Sequence, residues 1–158
     1  MQLRAAEARD AEAVVELWTE AYFCEGEGGR TMPYAKADFE KAMAAGEMLV
    51  AGPPGKAIGV VVMVAPGTPG MAAAQAEEAE LRLLAVSSQA RREGIGRALL
   101  ERCTDIAREK DWQAIALWSR PYQTAAHRLY ESLGYERASE RDSVDATGHA
   151  RLVFRLPL

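Results

Sequence analysis

Residues 80–100 read E-L-R-L-L-A-V-S-S-Q-A-R-R-E-G-I-G-R-A-L-L, and three parts follow one another in them. Residues 81–86 are an apolar run of buried-strand length. Residues 87–93 make a polar, basic loop. Gly94-Ile95-Gly96 then opens a segment with helical periodicity. A strand that passes through a basic, glycine-bearing turn into a helix start is suited to holding phosphate. The backbone N–H groups of a first helical turn have no partner within the helix, and the helix dipole adds roughly half a positive charge there. Gly94 and Gly96 lack a Cβ, so a bulky diphosphate can approach the backbone of residues 91–97. Arg91, Arg92 and Arg97 surround it with cations, with Glu93 and Ile95 between them.

Two familiar phosphate motifs do not fit. A dinucleotide fingerprint needs a third small residue where this chain has Leu99, and its glycines directly follow the strand. A nucleoside-triphosphate loop needs Gly-Lys-Ser/Thr, which is absent. A nucleotide-binding α/β domain is therefore disfavoured.

The chain has 158 residues, 49% hydrophobic and 27% charged, the size and composition of one domain spanning residues 1–158. A net charge of −4 argues against a nucleic-acid surface. Cys24 and Cys103 lie far apart, and with only His127 and His149 to join them no metal site or disulfide is suggested. No run approaches the roughly 20 apolar residues of a membrane helix, and the N-terminus lacks a signal-peptide core. A cytoplasmic protein with no membrane partner is the expectation.

Periodicity predicts a short strand near Leu3 and Ala5, and a helix over 11–23 with Asp10 as N-cap. A glycine-rich loop, a helix over 36–45 ended by Gly46, and a hairpin of strands over 48–51 and 58–64 follow. A small-residue loop over 66–78 precedes the central strand, 79–86. A helix over 94–110 presents Ile95, Leu99, Cys103 and Ile106 on one face. A strand over 113–118 and a helix over 123–133, with Ala126, Leu129, Tyr130 and Leu133 inward, lead to terminal strands over 136–144 and 150–156.

The sequence Arg91-x-x-Gly94-x-Gly96 resembles the pyrophosphate loop of the GNAT superfamily of N-acetyltransferases. Ala-His-Arg-Leu-Tyr-Glu-Ser-Leu-Gly-Tyr, residues 126–135, resembles that family's second signature, and the element order agrees along almost the whole chain. The resemblance implies an α+β fold, an α/β/α sandwich with a mixed sheet of about six to seven strands and helices on both faces. It implies acetyl-CoA as cosubstrate, without a metal. The acceptor would be a primary amine on a small molecule or a peptide, attacking directly in a ternary complex. Homodimerisation is common in the family, but no feature of the sequence decides it. A non-catalytic coenzyme A sensor with the same fold is the alternative; it would need neither of the two catalytic candidates below.

By the same resemblance, the pantetheine arm pairs with the backbone of Leu84, Ala85 and Val86, and residues 91–97 hold the diphosphate. Gln123 stands where the family often has an asparagine contacting the cofactor arm. Glu80 matches the catalytic glutamate of the histone-acetyltransferase branch and is the candidate base. A primary amine with a pKa near 10.4 is neutral in only about one molecule in 2,500 at pH 7, so a base contributes about 10²–10⁴ in rate. Tyr130 is the candidate acid for the leaving thiolate. The acceptor site would draw on Tyr22, Glu25, Glu27, Tyr34, Met71 and residues 142–145, whose carboxylates favour a cationic amine. His127 is expected to face solvent or a neighbour.

Overall fold

The computed structural model describes residues 2–23 and 29–158. The strands are β1 (Leu3–Ala5), β2 (Glu47–Ala51), β3 (Gly59–Val64), β4 (Glu78–Val86), β5 (Ala114–Ser119), β6 (Glu136–Arg137), β7 (Ser143–Val144) and β8 (Ala150–Pro157). The helices are α1 (Ala11–Tyr22), α2 (Lys36–Ala45), α3 (Ile95–Glu109) and α4 (Thr124–Ser132). The sheet runs β1-β2-β3-β4-β5-β8-β6, with β7 also pairing β8. Among the strands of the described residues only β4 and β5 pair in parallel, as the crossover through α3 requires. The architecture is the mixed, helix-covered sheet expected from the sequence.

Every residue of β3 is buried because both sheet faces are covered. Val60, Val62 and Val64 pack with Val14, Trp18 and Phe39 of α1 and α2, whereas Val61 and Met63 pack with Ile95, Leu99 and Cys103 of α3. The period of two along the strand thus feeds two cores. The buried stripe of α3 also takes in Leu100, Ile106 and Ala107. Each large apolar side chain so buried contributes about 1.5–3 kcal/mol, enough to fix the helix axis and therefore its N-terminus.

Two local expectations change. Asp10 occupies the N-cap position of α1, but its side chain does not cap the helix. Instead it accepts two hydrogen bonds from Arg4, at 2.7 and 2.8 Å, and further ones from the Glu7 and Gly55 N–H groups. The strand expected over 136–144 is broken by a single 3-10 turn at Ser139–Arg141, leaving β6 and β7 as separate two-residue pieces on β8. Among the described residues no helix is long and apolar enough to cross a membrane.

Candidate active site

The site begins where β4 leaves β5. Their pairing covers only Glu78↔Ala114, Ala79↔Ile115 and Glu80↔Ala116. Beyond it the strands diverge, and the β5-facing backbone edge of residues 81–86 has no strand partner among the described residues. On its other side β4 carries a bulge: Val60 pairs Ala85 and Val62 pairs Arg82, so Val61 opposes both Leu83 and Leu84. Leu83 takes a φ of 55°, uncommon for a residue with a Cβ.

Two side chains of α1 hold the bulge. The Trp18 indole N–H donates to the Leu83 carbonyl at 2.9 Å, and the Tyr22 hydroxyl donates to the Leu84 carbonyl. Burial pushes the Tyr22 hydroxyl well above its ordinary pKa, so it stays a donor. The acceptor role expected of Tyr22 meets a hydroxyl already engaged with the Leu84 carbonyl of β4. The sequence carried a signal for Trp18 in its helical spacing with Val14, since an indole on the buried face must find an acceptor for its N–H.

β4 leads through a 3-10 turn at Ser88–Ala90 into exposed residues 91–94 and then into α3. Gly94 is the N-cap, at a φ of 77°, and no side chain caps the helix. A Cβ built on Gly94 would meet nothing within 4 Å, so the space before the helix is open. At Gly96 a Cβ would come within 3.3 Å of the Leu129 side chain, so its small size also lets α4 pack close. Arg91 and Arg92 are exposed beside the open turn, whereas Arg97 donates to Ser132 Oγ at 2.6 Å and is drawn toward α4.

α4 buries Tyr130 in the core beneath the sheet, its ring 5.6 Å from Phe154 of β8 and 5.8 Å from Tyr135. Among the described residues no hydrogen bond engages its hydroxyl, and burial pushes its pKa up to about 12. The Gln123 carbonyl oxygen accepts from Ser119 Oγ at 2.7 Å and the Arg120 N–H at 2.8 Å, so this end of the amide ties the β5–α4 loop. His127 packs on Phe154 with its Nε2 at 3.1 Å from Ser119 Oγ, against a neighbour as expected, and burial lowers its pKa.

Glu80 is fully buried. One carboxylate oxygen accepts from the N–H groups of Ala72, Ala73 and Ala74 at 3.1, 2.6 and 3.1 Å. The other accepts from Arg82 Nε at 2.6 Å. The donors are unevenly shared: three crowd one oxygen, and the other, with Arg82 alone on it, keeps an acceptor position. The expected base role of Glu80 would fall to that second oxygen, beside the Arg82 guanidinium. Through its three backbone partners the side chain also anchors the β3–β4 loop. Glu78 acts alongside it, holding Arg141, Arg155 and the Gln75 N–H.

The acceptor-side carboxylates are also engaged. Asp142 binds Arg137 at 2.9 and 2.7 Å and the Val153 N–H. Asp145 binds Arg120 at 2.8 Å and closes its own turn through Thr147 and His149. Glu25 and Glu27 lie outside the described residues. Tyr34 packs against Trp18 and Tyr22 with the Arg30 guanidinium 4.0 Å above its ring, and Met71 Sδ lies 3.8 Å from Arg82. The carboxylate-rich surface expected to attract a cationic amine is thus neutralised wherever it is described.

Residues 11–135 match the model of the acetyltransferase (GNAT) family. Among curated proteins, N-acetylaspartate synthetase of Danio rerio is 37% identical over 86 residues, covering 52% of this chain and 30% of that protein. The [ribosomal protein bS18]-alanine N-acetyltransferase of Escherichia coli K12 is 35% identical over 85 residues, covering 52% of this chain and 57% of that protein. The chain spans 30% to 38% of the length of the first curated relatives it matches. A crystal structure of ribosomal-protein-alanine N-acetyltransferase from Brucella melitensis superposes with a TM-score of 0.80 over 100% of both chains at 21% identity, a likeness of fold.

Proposed function

The chain belongs to the acetyltransferase (GNAT) family, and from that premise we propose that residues 1–158 act as one cytoplasmic, acetyl-CoA-dependent N-acetyltransferase domain acting on a primary amine. The observation that carries this reading is the continuity of two binding surfaces. The unpaired edge of β4 leads directly to the uncapped, glycine-started N-terminus of α3. An extended amide-bearing arm can add to the first as a strand, and a diphosphate can sit on the second.

In this reading the free N–H groups of the first turn of α3 hold the diphosphate, with Arg91 and Arg92 supplying charge. Backbone groups of Leu84, Ala85 and Val86 pair with the pantetheine arm, and the Gln123 amide nitrogen faces it. A backbone N–H at the bulge polarises the thioester carbonyl, held in place by Trp18 and Tyr22. The neutral amine attacks the carbonyl carbon, the C–S bond breaks, and the ammonium proton passes to water. Tyr130 donates a hydrogen bond to the departing thiolate. With a pKa near 12 it is a weaker acid than a thiol, so it stabilises the anion without surrendering its proton.

Transfer is direct in this account. Cys103, the cysteine among the described residues, is buried in the core with its thiol pushed up to about 12 by burial, which suits no acyl carrier. A thiol-release assay with acetyl-CoA against amino acids, peptides and polyamines tests the reading. Amine-dependent thiol release is the expected result. Binding of acetyl-CoA without release across the panel would favour the coenzyme A sensor.

A further inference from the structure

Glu80 pairs Ala116, and Trp118 pairs Val153, so Arg82, Trp118 and Arg151 project from the same sheet face at the open end of the splay. This is the face opposite α3 and α4, where an acceptor would approach. Arg120 and Arg151 both stack on Trp118, their guanidinium carbons 4.6 and 5.2 Å from the ring centroid. Two arginines therefore share one tryptophan, and Arg82 lies on the same sheet face across the splay.

Their partners differ. Arg82 is bound by Glu80 and the Gly70 carbonyl. Arg120 is bound by Asp145 and the carbonyls of His149 and Ala150. Arg151 has neither an ion pair nor a hydrogen bond among the described residues, and its Nε is buried without a partner. Its cross-strand neighbour, Ser143, likewise buries an unpartnered hydroxyl. Buried polar groups are rarely left in this state without a reason. Asp145 cannot serve Arg151, because the turn and Arg120 already occupy it. A guanidinium placed over an indole, with no carboxylate partner among the described residues, is suited to receive an anion. An open cleft of about 600 Å³, lined by Arg120, Tyr122, His149 and Ala150, shares Arg120 with this pair.

We propose that Arg151, stacked on Trp118, reads a carboxylate on the acceptor, so that the substrate is an amine that also carries a carboxylate group. The proposal rests on the transferase reading above. It reverses the preference for a cationic amine that the acidic residues of the sequence suggested.

The test compares kcat/KM for paired amines with acetyl-CoA: free acidic amino acids against their amides, and short peptides beginning with an acidic residue against the same peptides beginning with its amide. A charge-assisted contact predicts at least about a tenfold preference for the acidic member. Whichever arm shows it, amino acid or peptide, identifies the source. Arg151→Gln should lower turnover of the acidic member at least about tenfold more than that of its partner, and Arg151→Lys should fall between. Equal rates on the pairs in wild type, or equal losses on both members in Arg151→Gln, would overturn the proposal. Succinate titration followed by tryptophan fluorescence, with Trp118→Phe as control, separates the two readings. Saturable quenching that Arg151→Gln and Trp118→Phe both abolish supports the carboxylate site even if no amine is acetylated. Absence of quenching in wild type, together with no acidic preference, overturns it.

Discussion

Replacing Glu80 by Gln separates the anchoring role described above from the role of a general base. The substitution keeps one oxygen for the N–H groups of Ala72, Ala73 and Ala74. It turns an NH₂ toward Arg82 Nε, where the carboxylate oxygen had accepted at 2.6 Å. Donor then faces donor, and a buried ion pair has lost its negative member, a change that costs about 3–5 kcal/mol. The Arg82 side chain is 28% exposed and can turn toward water, so the lower end, about 3 kcal/mol, is expected. Urea unfolding reads that loss. Because the three N–H anchors persist, the loop should stay in place and kcat should fall by about tenfold or less, with the pH–rate profile unchanged in shape. A base would behave differently, with turnover falling about 10²–10⁴-fold and the limb due to its ionisation disappearing from the profile. That second pattern, in a folded variant, would refute the anchoring role.

Tyr130→Phe removes a donor but little volume; turnover should drop by about 10- to 100-fold with acetyl-CoA affinity unchanged, whereas an unaltered kcat would remove Tyr130 from the chemistry. Gly94→Trp should abolish acetyl-CoA binding in calorimetry. Part of its cost, about 1–2 kcal/mol of stability, comes from forcing a side chain onto a φ of 77°. Glu78 sets an acid limit on folding. Burial pushes its carboxyl up, but hydrogen bonds from Arg141 and Arg155 and from the Gln75 N–H outweigh this and hold it at about 2, against 4.5 when free. The depressed value means that its contribution, about 3 kcal/mol, is complete above pH 4.5 and disappears as the pH falls toward 2. Glu78→Gln should therefore lower stability at pH 7 and flatten the loss between those limits.

The strand–turn–helix at the centre was legible because its signals are local: an apolar run, a basic loop, two glycines and a 3.6-residue period over residues 95–106. Its bulge was not, because two-against-one pairing depends on which residue of β3 lies opposite. Nor was the role of Glu80. The donors that enclose it come from a run of alanines in a loop, and backbone N–H groups leave no mark in side-chain chemistry. The carboxylates of residues 142–145 were read as a charged surface, since nothing local tells that Arg137 and Arg120 neutralise them. The turn at Ser139–Arg141 escaped for want of glycine or proline in residues 138–142.

Calorimetric titration of acetyl-CoA into the purified protein, with NADH and ATP as controls, tests the central claim most directly. Selective, saturable binding of acetyl-CoA at one site per chain, lost in Gly94→Trp, is the predicted result. Absence of binding by the folded wild-type protein would contradict the assignment of the splayed β4 edge and the N-terminus of α3 to the cofactor.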